Sequence, residues 1–191
     1  MNKSVLAKAA AIFALFALLG FGVVYIYFGI GIEGVVAGYE ARELASRANS
    51  ISAEYAEEYG DEGFSAEEFE ENLRGTADAL DVTIRVIDTD GRVIISTDES
   101  ADTGIVIEGF TEAYTGSNLY TTGNFYGSLD AKMLSVVSPV TVNYKVRGYV
   151  TIHASYDRVS DEVDEVSRTV YITFALVLLM GVIVFVFAGV V

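Results

Sequence analysis

The sequence predicts an α+β domain, an antiparallel sheet with a long N-terminal helix, set between two transmembrane helices. Three observations predict it. Ala9 to Ile32 and Thr169 to Val191 contain no ionisable side chain other than tyrosine. Between them the apolar spacing is first helical, then alternating, then helical again. All 27 acidic residues lie in that middle stretch.

Each apolar stretch exceeds the roughly 20 residues needed to cross a hydrocarbon core. A helix is the natural way to span, because it pairs its own backbone groups where water cannot. The reading is therefore a leader at 1–8, a first span at 9–32, one domain at 33–168 and a second span at 169–191. Lys3 and Lys8 precede the first span without an acid, whereas ten basic and 27 acidic residues give the middle a formal charge of −17. Positive flanks stay cytoplasmic. Both termini are thus expected inside and the domain outside, in a multi-pass protein of the plasma membrane. Tyr25, Tyr27, Phe28 and Tyr171 fit an interfacial aromatic belt. The first span is read as an uncleaved anchor, since its apolar run is longer than the core of a secretory signal and Val36-Ala37-Gly38 only loosely resembles a cleavage site. The acidic middle argues against nucleic-acid binding. The absence of cysteine fits an exported domain made without disulfides.

The first span is expected to run on as a helix, because Leu44, Ala48, Ile51 and Tyr55 recur at steps of four, three and four. The run Gly60 to Gly63 breaks it. Ser65 and Glu68 then form a capping box, with Phe64 and Phe69 as its hydrophobic staple. Phe69, Leu73, Ala77 and Leu80 continue the apolar face of this second helix. From Asp81 to Asp88 the residues alternate and are β-branched, which reads as a strand. Asp90-Gly91 marks a hairpin turn, and 93–97 is the returning strand. The stretch from Asp98 to Gly127 is rich in Gly, Thr and Tyr, with a short helix expected near Glu108 to Tyr114. Strands follow near Lys132 to Val142 and Arg147 to Ser155, separated by Asn143-Tyr144-Lys145. Pro139 implies an edge, a bulge or a strand end. Val159, Val163, Val166 and Val170 then mark an exit helix continuous with the second span.

Two segments carry a resemblance. The run Ile84–Asp98 (IRVIDTDGRVIISTD) is similar to the Asp-x-x-Gly hairpin of the single Cache (PDC-like) sensor domain, a PAS-like fold. Met133–Val140 (MLSVVSPV) with Val146–His153 (VRGYVTIH) resembles its closing hairpin. Gly123–Gly127 and Ile152–Ser155 are similar to the sensor regions of Firmicutes histidine kinases. The resemblance implies an extracytoplasmic domain that reports on small molecules or ions, passing its response to a kinase and a cytoplasmic response regulator. It implies a two-component sensor histidine kinase truncated before its kinase module, since no phospho-accepting helix or ATP-binding domain follows. A chemoreceptor, a diguanylate cyclase or a stand-alone membrane scaffold is the alternative. A parallel homodimer is expected, with Val159, Val163 and Val166 on the signalling helix.

Candidate chemistry is sparse. With one histidine and no cysteine, a thiol nucleophile and a multi-histidine metal centre are excluded. No catalytic residue, metal or cofactor is assigned. The ligand-contact candidates are the aromatics Tyr114, Tyr120, Phe125 and Tyr126. Arg85, Lys132 and Arg147 are added because a cation meets a carboxylate. Each aromatic is equally readable as core and each cation as a solvated charge. His153 is read first as a structural, hydrogen-bonded or partly exposed residue, and second as a ligand contact or pH-responsive group. The acids Glu54, Glu57, Glu58, Asp61, Glu62 and Glu67 to Glu71 raise a divalent-cation reading, although no EF-hand-like loop is present.

Overall fold

The computed structural model describes residues 3–58, 66–98, 103–110 and 119–190. Among the described residues are three helices, α1 (Lys3–Glu58), α2 (Ala66–Leu80) and α3 (Tyr156–Val190). Five strands lie between α2 and α3: β1 (Val82–Asp88), β2 (Val93–Ser96), β3 (Thr121–Gly123), β4 (Met133–Val142) and β5 (Lys145–Ser155). The chain is therefore α+β with a long N-terminal helix. The capping box at Ser65, the staple residue Phe64, the Gly60–Gly63 break and Tyr114 lie outside the described residues.

Two units are distinct, Ala37–Val159 and the pair of segments 1–36 and 160–191. In the second unit the helices are long and apolar enough to cross a membrane. They meet through aromatic rings: Phe21 lies 5.4 Å from Phe174, and Tyr25 lies 5.1 Å from Tyr171.

In the first unit the sheet is antiparallel with order β2-β1-β5-β4-β3. The longest strands, β4 and β5, pair over their whole length, while β1 flanks β5 from Val82 to Asp88. Register separates two faces. Ile84, Val86, Leu134, Val136, Val140, Val150, Ile152 and Ala154 share one face and are wholly buried. This is the helix face: Ser138 on β4 hydrogen-bonds Ser52 (2.9 Å) and Asn49 (2.6 Å) of α1. The predicted stripe Leu44, Ala48, Ile51 and Tyr55 is buried, and Tyr55 meets Phe69 of α2 at 5.1 Å.

The hairpin motif has a structural cause. Asp88 Oδ1 accepts hydrogen bonds from the backbone N–H groups of Asp90 and Arg92, both at 2.8 Å, and Gly91 takes the positive φ that the turn needs. A bulge then follows. Val86 pairs with Ile95 but Ile87 pairs with Val93, leaving Ile94 outside the ladder and exposed. The extra residue sends Val93 and Ile95 to opposite faces, and both become buried. Strict alternation does not foresee this.

Two expectations shift. The β4–β5 turn is the two residues Asn143 and Tyr144, with φ of 50° and 62°, so β5 starts two residues earlier than expected. Paired left-handed residues match the twist of the strands they join. The expected helix near Glu108 to Tyr114 lies mostly outside the described residues; Glu108 and Gly109 form a turn and Phe110 is helical. Finally, β3 emerges from the Thr- and Gly-rich stretch and pairs only with Met133 to Ser135. Beyond Ser135 no described strand flanks β4 on that side, so Pro139 sits on an open edge, next to the register shift at Val140/Thr141.

Gly148 marks a close approach between β5 and β1, where an added Cβ would lie 2.5 Å from the carbonyl oxygen of Ile87. Gly148→Ala is expected to lower unfolding stability by about 1–3 kcal/mol, through strand displacement. Denaturant titration of the full chain checks this; an unchanged midpoint would contradict the close β1–β5 contact.

Candidate functional site

The second face of the sheet carries the chemistry. Register places Arg85, Thr151 and Val137 in one row, and Thr83, His153 and Ser135 in the next. This face has an apolar half and a polar half. The apolar half is Ile87 and Val93, covered by Ile107, Phe110 and Phe125, with Tyr126, Leu129, Val137 and Tyr149 packed around them. Phe110 lies tilted 5.7 Å from Phe125 and meets Tyr149 edge-on at 5.3 Å.

The polar half is buried as deeply. Arg85 is 2% exposed, and Thr151 and His153 are wholly enclosed. His153 is hydrogen-bonded at both ring nitrogens, at 2.8 Å to Ser135 Oγ and 3.0 Å to Thr151 Oγ1. Thr151 donates its own proton to the carbonyl of Arg85 at 3.3 Å. It therefore accepts from His153 Nε2–H, which leaves Nδ1 to accept from Ser135. The ring is a neutral bridge between β4 and β5, and the edge of Phe125 closes over it at 4.6 Å. The expectation of a hydrogen-bonded histidine holds, while partial exposure does not. Desolvation pushes its pKa down to about 3, and the neighbouring Arg85 charge adds to that.

Arg85 has weaker company. Its Nη1 donates to the carbonyl and the hydroxyl of Ser128 at 3.3 and 3.2 Å. Asp98 Oδ2 stands 3.9 Å from Nη2, and Nε has no partner. A buried donor left unpaired costs roughly 1–3 kcal/mol. Burial pushes the guanidinium pKa down and Asp98 partly offsets this, but an arginine stays a cation at neutral pH.

The structure thus brings Arg85 and Phe125 together with His153, and holds Tyr126 at their margin. Tyr120 is half-buried just before β3. Lys132 is exposed, with its ammonium 3.4 Å above the ring of Tyr156. Arg147 is exposed on the part of β5 beyond the end of β1. Neither cation joins the cluster. Sequence reading missed Ser128, Ser135 and Thr151, whose one signal is a polar residue at alternate positions of otherwise apolar strands. Among the described residues, no three acidic or histidine side chains stand close enough to share a metal ion. A wide apolar groove of about 840 Å³ lies on α1 between Val23 and Val35; its lining suits acyl chains rather than a polar solute.

The start of α3 is firmly seated. Ser155 Oγ accepts from the N–H of Asp157 at 3.3 Å as an N-cap. Arg158 bonds the carbonyl of Leu80 at 3.0 Å and pairs with Glu40 of α1 at 3.0 Å. Val159 is buried, Val163 half-buried and Val166 40% exposed.

No protein-family model and no curated protein matches this sequence. Solved structures do match. The ligand-binding domain of the Campylobacter jejuni chemoreceptor Tlp3 in complex with 4-methylisoleucine matches with a TM-score of 0.50 at 11% identity, over 72% of this chain and 62% of that one. The V. cholerae histidine kinase DctB sensor domain matches with a TM-score of 0.50 at 14% identity, over 76% of this chain and 58% of that one. This chain spans about three-fifths of the length of each. At such identities the likeness is one of fold: this chain shares the fold of those two domains.

The buried histidine predicts a pH dependence. Unfolded chains protonate His153 near pH 6.5 and the folded state only near pH 3, so its contribution to stability is intact above 6.5. It is lost as pH falls between those values, at about 1.4 kcal/mol per pH unit. Denaturant titrations across that range should show a steeper decline for the native chain than for His153→Gln. Parallel curves would mean the ring is charged or hydrated in the fold.

Proposed function

We propose that this chain is the signal-sensing and transmembrane signalling region of a membrane receptor, and that its output module is a histidine kinase acting on a response regulator. The observation that carries the reading is the buried polar cluster of Arg85, Ser135, Thr151 and His153, with half-buried Ser128 at its margin, closed by Phe125 in a fold shared with solved sensor domains. Such a mixture of apolar cover and a few fixed polar groups is the make-up of a small-molecule site. The domain faces the exterior, both termini face the cytoplasm, and the receptor works as a parallel homodimer. The charge distribution supports the orientation, and the continuity of α1 and α3 with the apolar segments supports the signalling role. A chemoreceptor output is the second reading, because the chemoreceptor domain and the kinase sensor domain match this chain with the same TM-score.

In this mechanism a ligand binds one arrangement of the loop-covered face more tightly than the other, which is the energetic condition for a switch. Because α3 begins where β5 ends, a shift of β5 reaches Val159, Val163 and Val166, and then the second span.

Two experiments on the full chain test this reading, and the absence of native cysteine makes both simple. Tyr144→Cys, at the exposed tip of the β4–β5 hairpin, should react with a membrane-impermeant maleimide in intact cells, and Ser4→Cys only after permeabilisation. The reverse pattern would sink the orientation. A screen of small metabolites should yield a compound that raises the melting temperature. At saturation it should alter disulfide cross-linking between copies carrying Val163→Cys or Val166→Cys. An unchanged cross-linking pattern would refute the coupling.

A further inference from the structure

We propose that the tip of the β4–β5 hairpin, Tyr144 with Lys145 and Arg147, is a docking site for an acidic polysaccharide. This goes beyond the sensor reading and does not depend on it.

The tip carries a strain that the fold does not need. Asn143 and Tyr144 form a two-residue turn with both φ positive, closed by the pairing of Val142 with Lys145. Such turns favour Asn-Gly, because glycine takes the second left-handed position freely. Here that position, at φ of 62°, holds a tyrosine. A bulky side chain is strained there. Nothing in the fold offsets the strain. The Tyr144 ring is wholly exposed, and among the described residues it has no hydrogen bond and no ring contact.

The neighbouring residues are presented in the same way. Val140 pairs with Gly148 and Thr141 with Val146, so Arg147 is an extra residue outside the ladder. A bulge of this kind bends the strand and re-aims its side chains. Lys145, Val146 and Arg147 are all exposed, and β1 ends opposite Gly148 without reaching them.

The charge of the tip opposes that of the chain. The sequence has 27 acidic and 12 basic residues, yet residues 141–147 hold two cations and no acid. Among the described residues neither cation has an ion-pair partner, whereas Arg74, Arg85 and Arg158 each stand by a carboxylate. Register brings Asp88 opposite Gly148, but its Oδ1 is held by its own turn. A polyanion is attracted to this tip and repelled by acidic surface, which confines its contact to the tip.

The size of the tip selects the kind of polyanion. A stable protein interface covers about 800 Å² on each side, far more than one hairpin turn offers. A nucleic acid needs a basic groove with several stacking rings, which two cations and one ring do not make. A linear glycan needs only a short contact at each repeat and gains by repetition. Tyr144 offers it an open apolar face with a polar rim. Arg147 supplies a planar fork and Lys145 a point charge for its carboxylates.

The test uses the full chain in phosphatidylcholine nanodiscs, with polygalacturonate as the probe and dextran, poly-L-glutamate and oligo(dT) for comparison. Polygalacturonate should bind, and more weakly as ionic strength rises through about 0.15 M. Dextran should not bind. Tyr144→Gly should weaken polygalacturonate binding about tenfold. Its denaturation midpoint should stay level or rise, because the strain is removed. Lys145→Gln combined with Arg147→Gln should abolish binding, whereas Arg42→Gln, which removes an exposed cation of α1, should leave it unchanged. Dextran binding as tightly as polygalacturonate would overturn the role of charge. Poly-L-glutamate or oligo(dT) binding as tightly would overturn the glycan assignment. No binding of polygalacturonate, binding that Tyr144→Gly leaves unchanged, or a lower midpoint for Tyr144→Gly would overturn the site. Each of these results leaves the sensor reading standing.

Discussion

The structure depends on one constraint: β5 is flanked along most of its length by β1 and β4, and both of its faces are enclosed. From Val150 to Ala154 every side chain must therefore be buried apolar surface or a fully bonded polar group. Val150, Ile152 and Ala154 satisfy the first condition against the helices. Thr151 and His153 satisfy the second by bonding to each other, to Ser135 and to the backbone of Arg85. The cost of burying unpaired polar groups is what makes this arrangement specific. It fixes the ring of His153 as neutral, and it leaves Arg85 as a buried charge on this face, 3.9 Å from Asp98.

From that constraint the two-sided design follows. The helix face supplies apolar burial through α1 and α2. The other face is closed by loops, which are cheaper to rearrange than packed helices. A site placed under loops and attached to β5 is connected by backbone to α3, whose first turn is tied to Leu80 and Glu40 through Arg158. The buried polar cluster and α3 thus share a single strand.

Much of this was legible in the sequence. The helical stripe from Leu44 to Tyr55, the Asp88 hairpin and the valine-rich strands follow from period and turn chemistry, and two helices long and apolar enough to cross a membrane follow from the lack of charge. The bulge at Ile94 was not legible, since inserting one residue leaves the composition of a strand unchanged. The strand Thr121–Gly123 was hidden because three residues carry too little pattern. In the candidate site Arg85 and Phe125 were read as contacts, because a cation in a β-rich stretch and an aromatic in a loop are uncommon enough to notice. Ser128, Ser135 and Thr151 were missed because small hydroxyl residues are frequent everywhere and gain meaning only through register. Lys132 and Arg147 illustrate the converse: their charge type was right for a carboxylate, but register and exposure set them apart from the cluster.

The central claim is that the loop-covered face of the sheet, with Arg85 as its charged group, is where a signal molecule binds. The most direct measurement follows the Arg85 Nε–H resonance in full chain labelled with isotopic arginine, before and after addition of a compound that raises the melting temperature. The account predicts a resonance that is distinct in the free protein, moves on binding and exchanges more slowly with water, because the unpaired donor gains an acceptor. A compound that stabilises the chain while leaving that resonance in place would show that the signal is read elsewhere.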